Sequence, residues 1–149
     1  MLPVLDPPMD FQLQSGDYKI GQKYRNMSEP AYILVVEDNE EIRIFLKIAL
    51  ENQGFQVHMA EDAGQAIEAL RHHRFNVAII DRGLPDMTGI ELGQIIRQQP
   101  HSQTLPLVLF SGSFTKALEK EAFDAGFSRY LVKPVPVLTL YQVINELVQ

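Results

Sequence analysis

Short apolar runs alternate with longer amphipathic stretches along the chain from residue 31 onward. The runs of strand length are Tyr32–Val36, Gln56–Met59, Val77–Ile80, Leu107–Phe110 and Tyr130–Val132. The stretches of helical length are Asn39–Gln53, Asp62–His73, Thr88–Gln98, Ser113–Ala125 and Pro136–Val148. In the first of these stretches, apolar residues recur at intervals of three and four, which places them on one face of a helix. The pattern therefore predicts strands and helices in strict alternation.

This alternation is typical of an α/β fold. Strands joined through helices form right-handed crossovers, and they build a mostly parallel sheet that is covered on both faces. Gly54 and Gly126 follow predicted helices at the positions where C-terminal caps occur. Ligands in such sheets bind beyond the carboxyl ends of the strands, close to the point where the strand order reverses. Residues at the strand ends are therefore the candidates for a functional site.

Residues 1–29 differ from the rest of the chain. They contain Pro3, Pro7, Pro8 and Gly16 among scattered polar residues, and they show neither sustained alternation nor helical periodicity. We interpret residues 1–29 as an N-terminal extension or linker and residues 31–149 as one domain. Two readings of the extension stay open, a flexible tail without a function of its own and a segment with a short docked element around Phe11–Tyr18.

Composition and charge exclude several classes of protein. Apolar residues make up 46% of the chain and charged residues 21%, as in ordinary globular proteins. The net charge of −6 argues against direct binding of nucleic acid, which usually requires a basic surface. The absence of cysteine excludes disulfides, thiolate zinc sites and cysteine nucleophiles. No apolar run approaches the roughly 18 residues of a membrane helix, and the N-terminus lacks the pattern of a secretory signal. We expect a cytoplasmic protein that does not bind membranes.

Chemically active side chains follow four of the predicted strands. Glu37 and Asp38 come directly after the first strand, and Asp81 follows the third. Ser111 follows the fourth strand, and Lys133 follows the fifth. Because parallel strands end at the same edge of a sheet, three carboxylates, a hydroxyl and an ammonium are expected to converge there.

Such a group of side chains suits phosphoryl chemistry. Crowded carboxylates repel one another unless a cation or a proton intervenes, and an all-oxygen cluster favours Mg²⁺. An ammonium and a hydroxyl can each hold a phosphoryl oxygen. A carboxylate can itself act as the nucleophile and form an acyl phosphate by in-line transfer. A cap on the first helix is the alternative role for the Glu37-Asp38 pair.

The side chains at the strand ends belong to four motifs: Val35-Val36-Glu37-Asp38-Asn39, Asp81-Arg82-Gly83-Leu84-Pro85-Asp86-Met87-Thr88-Gly89, Ser111-Gly112 and Tyr130-Leu131-Val132-Lys133-Pro134. With these motifs, residues 31–149 resemble the receiver domain of two-component response regulators. Thirty residues separate Asp81 from Ser111 and 22 separate Ser111 from Lys133, as in that family. Each motif stands at the end of a predicted strand.

The resemblance implies a flavodoxin-like fold, with five parallel strands in the order 2-1-3-4-5. It also implies phosphorylation-dependent signalling, in which Asp81 accepts a phosphoryl group from a histidine kinase or a histidine phosphotransfer protein. Glu37, Asp38, Asp81 and the backbone carbonyl of Gly83 are then the ligands of Mg²⁺. Such a domain is a switch that phosphorylates itself from phosphodonors and dephosphorylates slowly, and it is not a metabolic enzyme.

The resemblance further assigns the residues that respond to phosphorylation. Ser111 moves toward the phosphoryl oxygen, Lys133 pairs with it, and the Lys133–Pro134 bond is cis. Tyr130 is the switch aromatic, whose alternative role is that of a half-buried strand residue. It reports on the surface of the fourth helix, fifth strand and fifth helix, where an output domain or a second copy of the chain can bind.

Gly83 is the main departure from the family pattern. Without a side chain two residues after Asp81, the chain has no group there to screen the phosphoryl group, which makes the rate of autodephosphorylation uncertain. A magnesium-dependent phosphohydrolase is one alternative function, but such enzymes typically carry an aspartate at that position.

A pseudo-receiver that signals without phosphate is the other alternative function. The complete set of acid, hydroxyl and lysine argues against it.

The fifth predicted helix is more apolar than one buried stripe requires. Three explanations stay open: a dimer surface, a patch covered by a neighbouring domain, and a helix that is buried more deeply than usual.

Overall fold

Strands and helices alternate in the structure as the pattern predicts. The computed structural model of the protein describes residues 29–148. The strands are β1 (Tyr32–Val36), β2 (Gln56–Ala60), β3 (Val77–Asp81), β4 (Leu107–Ser111) and β5 (Arg129–Val132). The helices are α1 (Glu40–Asn52), α2 (Ala63–His72), α3 (Gly89–Gln98), α4 (Lys116–Asp124) and α5 (Val137–Leu147), with a short 3₁₀ turn at Pro100–Ser102. Residues 1–28 of the predicted extension, including the element expected around Phe11–Tyr18, lie outside the described residues.

The strands form one parallel sheet in the order β2-β1-β3-β4-β5, which confirms the flavodoxin-like topology. Every residue of β3 and β4 is buried, and so are four residues of β1, whereas β2 and β5 at the edges are partly exposed. Continuous apolar runs are therefore the sequence signature of the central strands, since both of their faces are covered. The strand order reverses between β1 and β3, where a crevice for ligands is expected.

Alternate residues of the strands pack into separate cores on the two faces of the sheet. On one face, Leu34, Ile80 and Leu109 pack against α2, α3 and α4. On the other face, Ile79 and Phe110 pack against α1 and α5. Two layers of helices thus hold the central strands, and with them the strand ends that carry the predicted site.

The polar residue that opens each of the first three predicted helical stretches is the N-cap, and the helix itself begins at the next residue. Asn39, Asp62 and Thr88 each accept a backbone N–H from the first turn of the helix that follows. Thr88 and Glu91 form a reciprocal capping box at the start of α3. These polar residues belong to the caps because their side chains replace the hydrogen bonds that the first turn lacks.

The predicted start of α4 at Ser113 is wrong by three residues. The helix begins at Lys116, and the hydroxyl of Thr115 accepts the backbone N–H of Leu118. Ser113 instead lies in the loop after β4, where its carbonyl accepts hydrogen bonds from two hydroxyl groups. Pro136 precedes α5 without a side-chain cap, since proline has no side-chain oxygen.

Asp81 and Ser111 are the last residues of their strands rather than the first residues after them. Asp81 is paired with Phe110, and Ser111 with Val132. Their backbones are therefore held by the sheet. The Lys133–Pro134 bond is cis, as expected, and Gly54 and Gly126 adopt positive φ angles after α1 and α4.

Most of the apolar excess of α5 is explained by packing. Leu140 and Ile144 are fully buried, and Tyr141, Val143 and Leu147 are partly buried against the same core. Leu138 is 71% exposed. The helix is therefore embedded on its inner side and leaves an apolar residue on the surface. Across residues 29–148, none of the helices has the length and apolar character needed to cross a membrane.

Candidate functional site

Three acidic residues meet at the carboxyl ends of β1 and β3, on either side of the point where the strand order reverses. Glu37, Asp38 and Asp81 each offer one carboxylate oxygen, and these oxygens lie within 4.8 Å of one another. Glu37 and Asp81 are buried, whereas Asp38 is exposed. The structure thus brings together the three carboxylates that the sequence predicts as metal ligands.

Lys133 joins this cluster from the end of β5. Its Nζ lies 3.0 Å from Asp81 Oδ1 and 3.1 Å from Glu37 Oε1, and it stands 5.2 Å from the centroid of the Phe110 ring. Burial lowers the pKa of Lys133, but the hydrogen bond and charge of Asp81 and the charge of Glu37 outweigh that effect, so its pKa lies above the ordinary value. The ammonium therefore stays protonated between the two buried carboxylates.

Glu37 is only partly satisfied by these contacts. Its Oε2 accepts the backbone N–H of Asn39 at 3.1 Å, and its buried Oε1 has the ammonium of Lys133, at 3.1 Å, as its one partner among the described residues. Burial raises the pKa of Glu37, the Asn39 N–H opposes that rise, and the charge of Asp81 adds to it. A buried carboxylate oxygen whose partner is a single ammonium, beside two further carboxylates, is a suitable ligand for a hard divalent cation.

The backbone of the acidic pair is held by Arg43 from the first turn of α1. Nη1 of Arg43 donates to the carbonyl of Glu37 at 2.9 Å and to the carbonyl of Asp38 at 3.2 Å. Its Nη2 lies 3.7 Å from Oε2 of Glu61, which follows β2. Only 12% of the Arg43 side chain is exposed. One guanidinium thus links the loop after β1 to the end of β2.

Two hydroxyl groups converge on the carbonyl of Ser113. Ser111 Oγ donates to Ser113 O at 3.0 Å and accepts the Ser113 N–H at 3.2 Å. The hydroxyl of Tyr130 donates to the same carbonyl at 2.6 Å, and the Tyr130 ring meets the edge of Phe114 at a centroid distance of 5.3 Å. The hydroxyl at the end of β4 and the aromatic residue of β5 therefore share one acceptor.

The loop after Asp81 packs against two helices. Both carboxylate oxygens of Asp86 accept backbone N–H groups of α2, from Ala63 at 3.0 Å and from Gly64 at 2.9 Å. These hydrogen bonds lower the pKa of Asp86. At the start of α3, a Cβ on Gly89 would overlap the carbonyl oxygen of Asp81. The backbone that carries Asp81 can therefore approach α3 closely only because residue 89 is glycine.

Gly83 is exposed, and a Cβ at this position would meet no atom within 4 Å. The loop therefore has room for a side chain that this protein lacks, and nothing from residue 83 covers the carboxylate of Asp81.

Sequence reasoning missed three contributors to the site: Arg43, Asp86 and the carbonyl of Ser113. Asp86 lies in a predicted motif but was given no role. Its partners are 23 and 22 residues away, so only the fold brings them together. For Arg43, the available signal was a basic residue in the first turn of a helix that directly follows two acidic residues. A backbone carbonyl gives no sequence signal at all.

The arrangement is suited to holding and transferring an anionic group. An exposed carboxylate and two buried ones can ligate a cation, Lys133 supplies a fixed positive charge, and Asp81 offers an oxygen nucleophile. The described residues of the site include no cysteine or histidine ligand, so soft-metal chemistry is not indicated.

Comparisons with known proteins agree with this geometry. The model of the response regulator receiver domain family matches residues 33–145. The chain is 32% identical over 102 residues to the transcriptional regulatory protein SrrA of Staphylococcus aureus (strain NCTC 8325 / PS 47), covering 68% of this chain and 41% of that protein. It therefore spans about two fifths of the length of that relative.

Two solved structures share the fold. Chemotaxis protein CheY4 of Vibrio cholerae is 28% identical, with a TM-score of 0.77 over 79% of this chain and 98% of that one. The receiver domain of the sensor histidine kinase PA1611 from Pseudomonas aeruginosa PAO1 is 24% identical, with a TM-score of 0.74 over 80% of this chain and 98% of that one. That structure has a magnesium ion coordinated in its active site cleft. At this identity the second likeness shows the fold alone.

Proposed function

The chain belongs to the response regulator receiver domains of two-component signalling, and we propose that it accepts a phosphoryl group on Asp81 from the phosphohistidine of a partner protein. The observation that carries this proposal is the convergence of Asp81 with Glu37, Asp38 and Lys133 at one edge of the sheet. We assign the receiver domain to residues 31–149, which form a compact unit, and we interpret residues 1–29 as an extension or linker.

Mg²⁺ is the proposed cofactor. Glu37, Asp38 and Asp81 would hold it, together with the backbone carbonyl of Gly83. Three oxygen ligands from carboxylates that lie within 4.8 Å of one another suit a hard cation. When bound, Mg²⁺ supplies positive charge to the phosphoryl oxygens and so reduces their repulsion of the attacking carboxylate.

The transfer itself needs little covalent chemistry from the protein. A carboxylate oxygen of Asp81 forms a bond to phosphorus while the bond between phosphorus and the imidazole nitrogen of the donor breaks. The imidazole leaves with the electron pair of that bond and takes up a proton from solvent. Lys133 stabilises one phosphoryl oxygen by its charge, since burial and the neighbouring carboxylates hold its ammonium in place.

Ser111 and Tyr130 are the proposed switch. Ser111 Oγ can donate to a phosphoryl oxygen only by giving up its present hydrogen bond to Ser113 O. Tyr130 donates to that same carbonyl, so a change at Ser111 alters the environment of the Tyr130 hydroxyl. The two-state equilibrium of this loop would therefore be biased by phosphorylation.

The switch is read on the surface formed by α4, β5 and α5. Phe123 of α4, Val132 of β5 and Leu138 of α5 are apolar residues that this surface leaves exposed, by 47%, 41% and 71%. Exposed apolar residues that cluster in this way are typical of interaction sites. We assign this surface to an output domain or to a second copy of the chain.

A second apolar surface lies beside the acidic loop. Ile44, Phe45 and Ile48 of α1 are exposed by 43%, 45% and 55%. Because α1 begins two residues after the acidic pair, these exposed residues are the proposed docking surface for the histidine kinase or phosphotransfer protein. Small phosphodonors would not need this surface.

Intact mass spectrometry after incubation with acetyl phosphate and Mg²⁺ tests the proposal. We expect one added phosphoryl group on the wild-type chain, and no addition for Asp81→Asn or in samples treated with a chelator. Released phosphate is measured in the same samples, because an acyl phosphate that hydrolyses quickly would leave no adduct on the chain. If the wild-type chain showed neither adduct nor release, the pseudo-receiver would become the better explanation.

A further inference from the structure

We propose that Arg43 is a positioning residue that orders the acidic pair Glu37-Asp38 for Mg²⁺. This inference rests on the proposed function, because it concerns the same metal site. Arg43 contacts neither carboxylate of the pair. It donates instead to the two consecutive backbone carbonyls from the side of α1, at 2.9 and 3.2 Å.

These two hydrogen bonds constrain the backbone on both sides of Asp38. The carbonyl of Glu37 belongs to the peptide before Asp38, and the carbonyl of Asp38 belongs to the peptide after it. When both carbonyl oxygens are directed at one nitrogen, both peptide planes are fixed, and so is the direction in which the Asp38 side chain leaves the backbone. Asp38 is the exposed member of the pair, so packing alone does little to restrain it.

Arg43 is itself well anchored. Its side chain is 12% exposed, its Nη2 faces Glu61 at 3.7 Å, and its backbone N–H donates to Asn39 O at 2.9 Å. The planar guanidinium can meet two carbonyls and a carboxylate from one position, which the single ammonium of lysine cannot reproduce. Residues that orient metal ligands in this way typically change metal affinity by about 10- to 100-fold when they are removed.

The charge of Arg43 acts in the opposite direction. A cation close to the acidic pair repels Mg²⁺, so a purely electrostatic role predicts tighter binding of Mg²⁺ when Arg43 is replaced by a neutral residue. Positioning predicts weaker binding for the same substitution. The two explanations therefore differ in the sign of the effect and not only in its size.

The test is a titration of the full-length ¹⁵N-labelled protein with MgCl₂, followed by NMR, on the wild type, Arg43→Met and Arg43→Lys. We expect the Kd for Mg²⁺ to rise about 10-fold in Arg43→Met, with Arg43→Lys between it and the wild type. Arg71→Met is the matched control, because Arg71 is 67% exposed and, among the described residues, its one ion pair is with Glu68 on the surface of α2. It removes the same charge and should leave the Kd unchanged.

The melting temperature without Mg²⁺ is measured for each variant, so that a folding defect is recognised. If Arg43→Met bound Mg²⁺ as tightly as the wild type or more tightly, the positioning role would be wrong. If Arg43→Met did not fold, Arg43→Lys with an unchanged Kd would overturn it equally. The wild-type protein should show a saturable response to Mg²⁺, and Asp38→Asn should abolish it. If either result failed, the metal site itself would be wrong. The failure of the proposed function is thereby distinguished from the failure of the positioning role.

Discussion

Lys133 balances two buried negative charges at the centre of the site. Its ammonium contacts Asp81 Oδ1 at 3.0 Å and Glu37 Oε1 at 3.1 Å. Lys133 and Arg43 are thus both cations beside the acidic cluster, but Lys133 contacts carboxylate oxygens, whereas Arg43 contacts backbone carbonyls. The same loss of charge should therefore have opposite effects at the two positions.

Lys133→Ala should bind Mg²⁺ at least as tightly as the wild type, because a competing cation is removed from carboxylates that repel one another. The response to phosphorylation should be lost, since no ammonium remains to hold a phosphoryl oxygen. Titration with MgCl₂ and NMR spectra of the phosphorylated protein measure the two effects separately. Weaker binding of Mg²⁺ would contradict the role assigned to Lys133.

The shared carbonyl of Ser113 leads to a prediction about Tyr130. Tyr130→Phe keeps the ring contact with Phe114 and removes only the hydroxyl that donates to Ser113 O. We expect an unchanged mass adduct at Asp81 and much smaller phosphorylation-dependent shifts in the amide signals of α4. Tyr141→Phe, which removes a hydroxyl from α5, is the control. Full-size shifts in Tyr130→Phe would return this residue to the role of a half-buried strand tyrosine.

At the scale of elements, Asp86 links the loop of the site to the start of α2. Asp62 accepts the Gln65 N–H through its side chain and the Ala66 N–H through its carbonyl, and Asp86 accepts those of Ala63 and Gly64. The first turn of α2 is thus fully satisfied by two aspartates from different parts of the chain. A negative charge at this end of a helix is also favoured by the helix dipole.

Asp86→Ala should lower the free energy of unfolding by about 1 kcal/mol at neutral pH, as the loss of an N-terminal cap typically does. Because the folded pKa of Asp86 is below its ordinary value of 3.8, its stabilising contribution is present above that pH and is lost as the pH falls through the lower, folded pKa. The difference between wild type and variant should therefore shrink below about pH 3.8.

Urea unfolding at pH 7 and at pH 3 measures this difference. Asp124→Ala is the control, since Asp124 is an exposed carboxylate whose one ion-pair partner in the described part of the chain is Lys120 on the surface of α4. An exposed pair of this kind contributes little to stability, because solvent screens the two charges. A stability difference for Asp86→Ala that did not depend on pH would rule out the ionised cap.

The contact between α3 and β3 gives a second prediction at this scale. In Gly89→Ala the new methyl group would collide with the backbone carbonyl of Asp81, which is rigid because β3 is paired on both sides. We expect a loss of about 1–3 kcal/mol of stability, as in other overpacked sites, and slower phosphorylation from acetyl phosphate. Gly112→Ala is the comparison, because a Cβ there meets no atom within 4 Å, and it should be nearly neutral.

How far the sequence predicts the structure depends on the kind of interaction. Apolar periodicity predicts the strands and helices, because it shows where buried segments of the chain begin and end. The resemblance to receiver domains adds the sheet order and the convergence of Asp81 with Lys133. The start of α4 and the contacts of Ser113 do not follow from them. They depend on hydrogen bonds between loops, which no periodic pattern encodes.

At the scale of the whole molecule, the sheet separates two sets of helices. α1 and α5 pack on one face, and α2, α3 and α4 pack on the other. The site lies at the carboxyl ends of the strands, between the two sets of helices. The loop after β4 leads from the site to α4 on one face, and the loop after β1 leads from it to α1 on the other. The proposed donor and output surfaces are therefore connected to the same carboxylate through different loops.

The domain boundary gives the last prediction. The family match covers residues 33–145, and both buried cores draw their described members from Ala31 to Val148. A receiver domain that is complete from residue 31 should fold without residues 1–29. Their deletion should change the melting temperature by less than about 2 °C, which corresponds to no more than about 1 kcal/mol at this size. Differential scanning calorimetry with and without Mg²⁺ measures the change. A loss of more than about 5 °C would mean that the extension contributes to the folded domain, and residues 31–149 would then not be the complete folding unit.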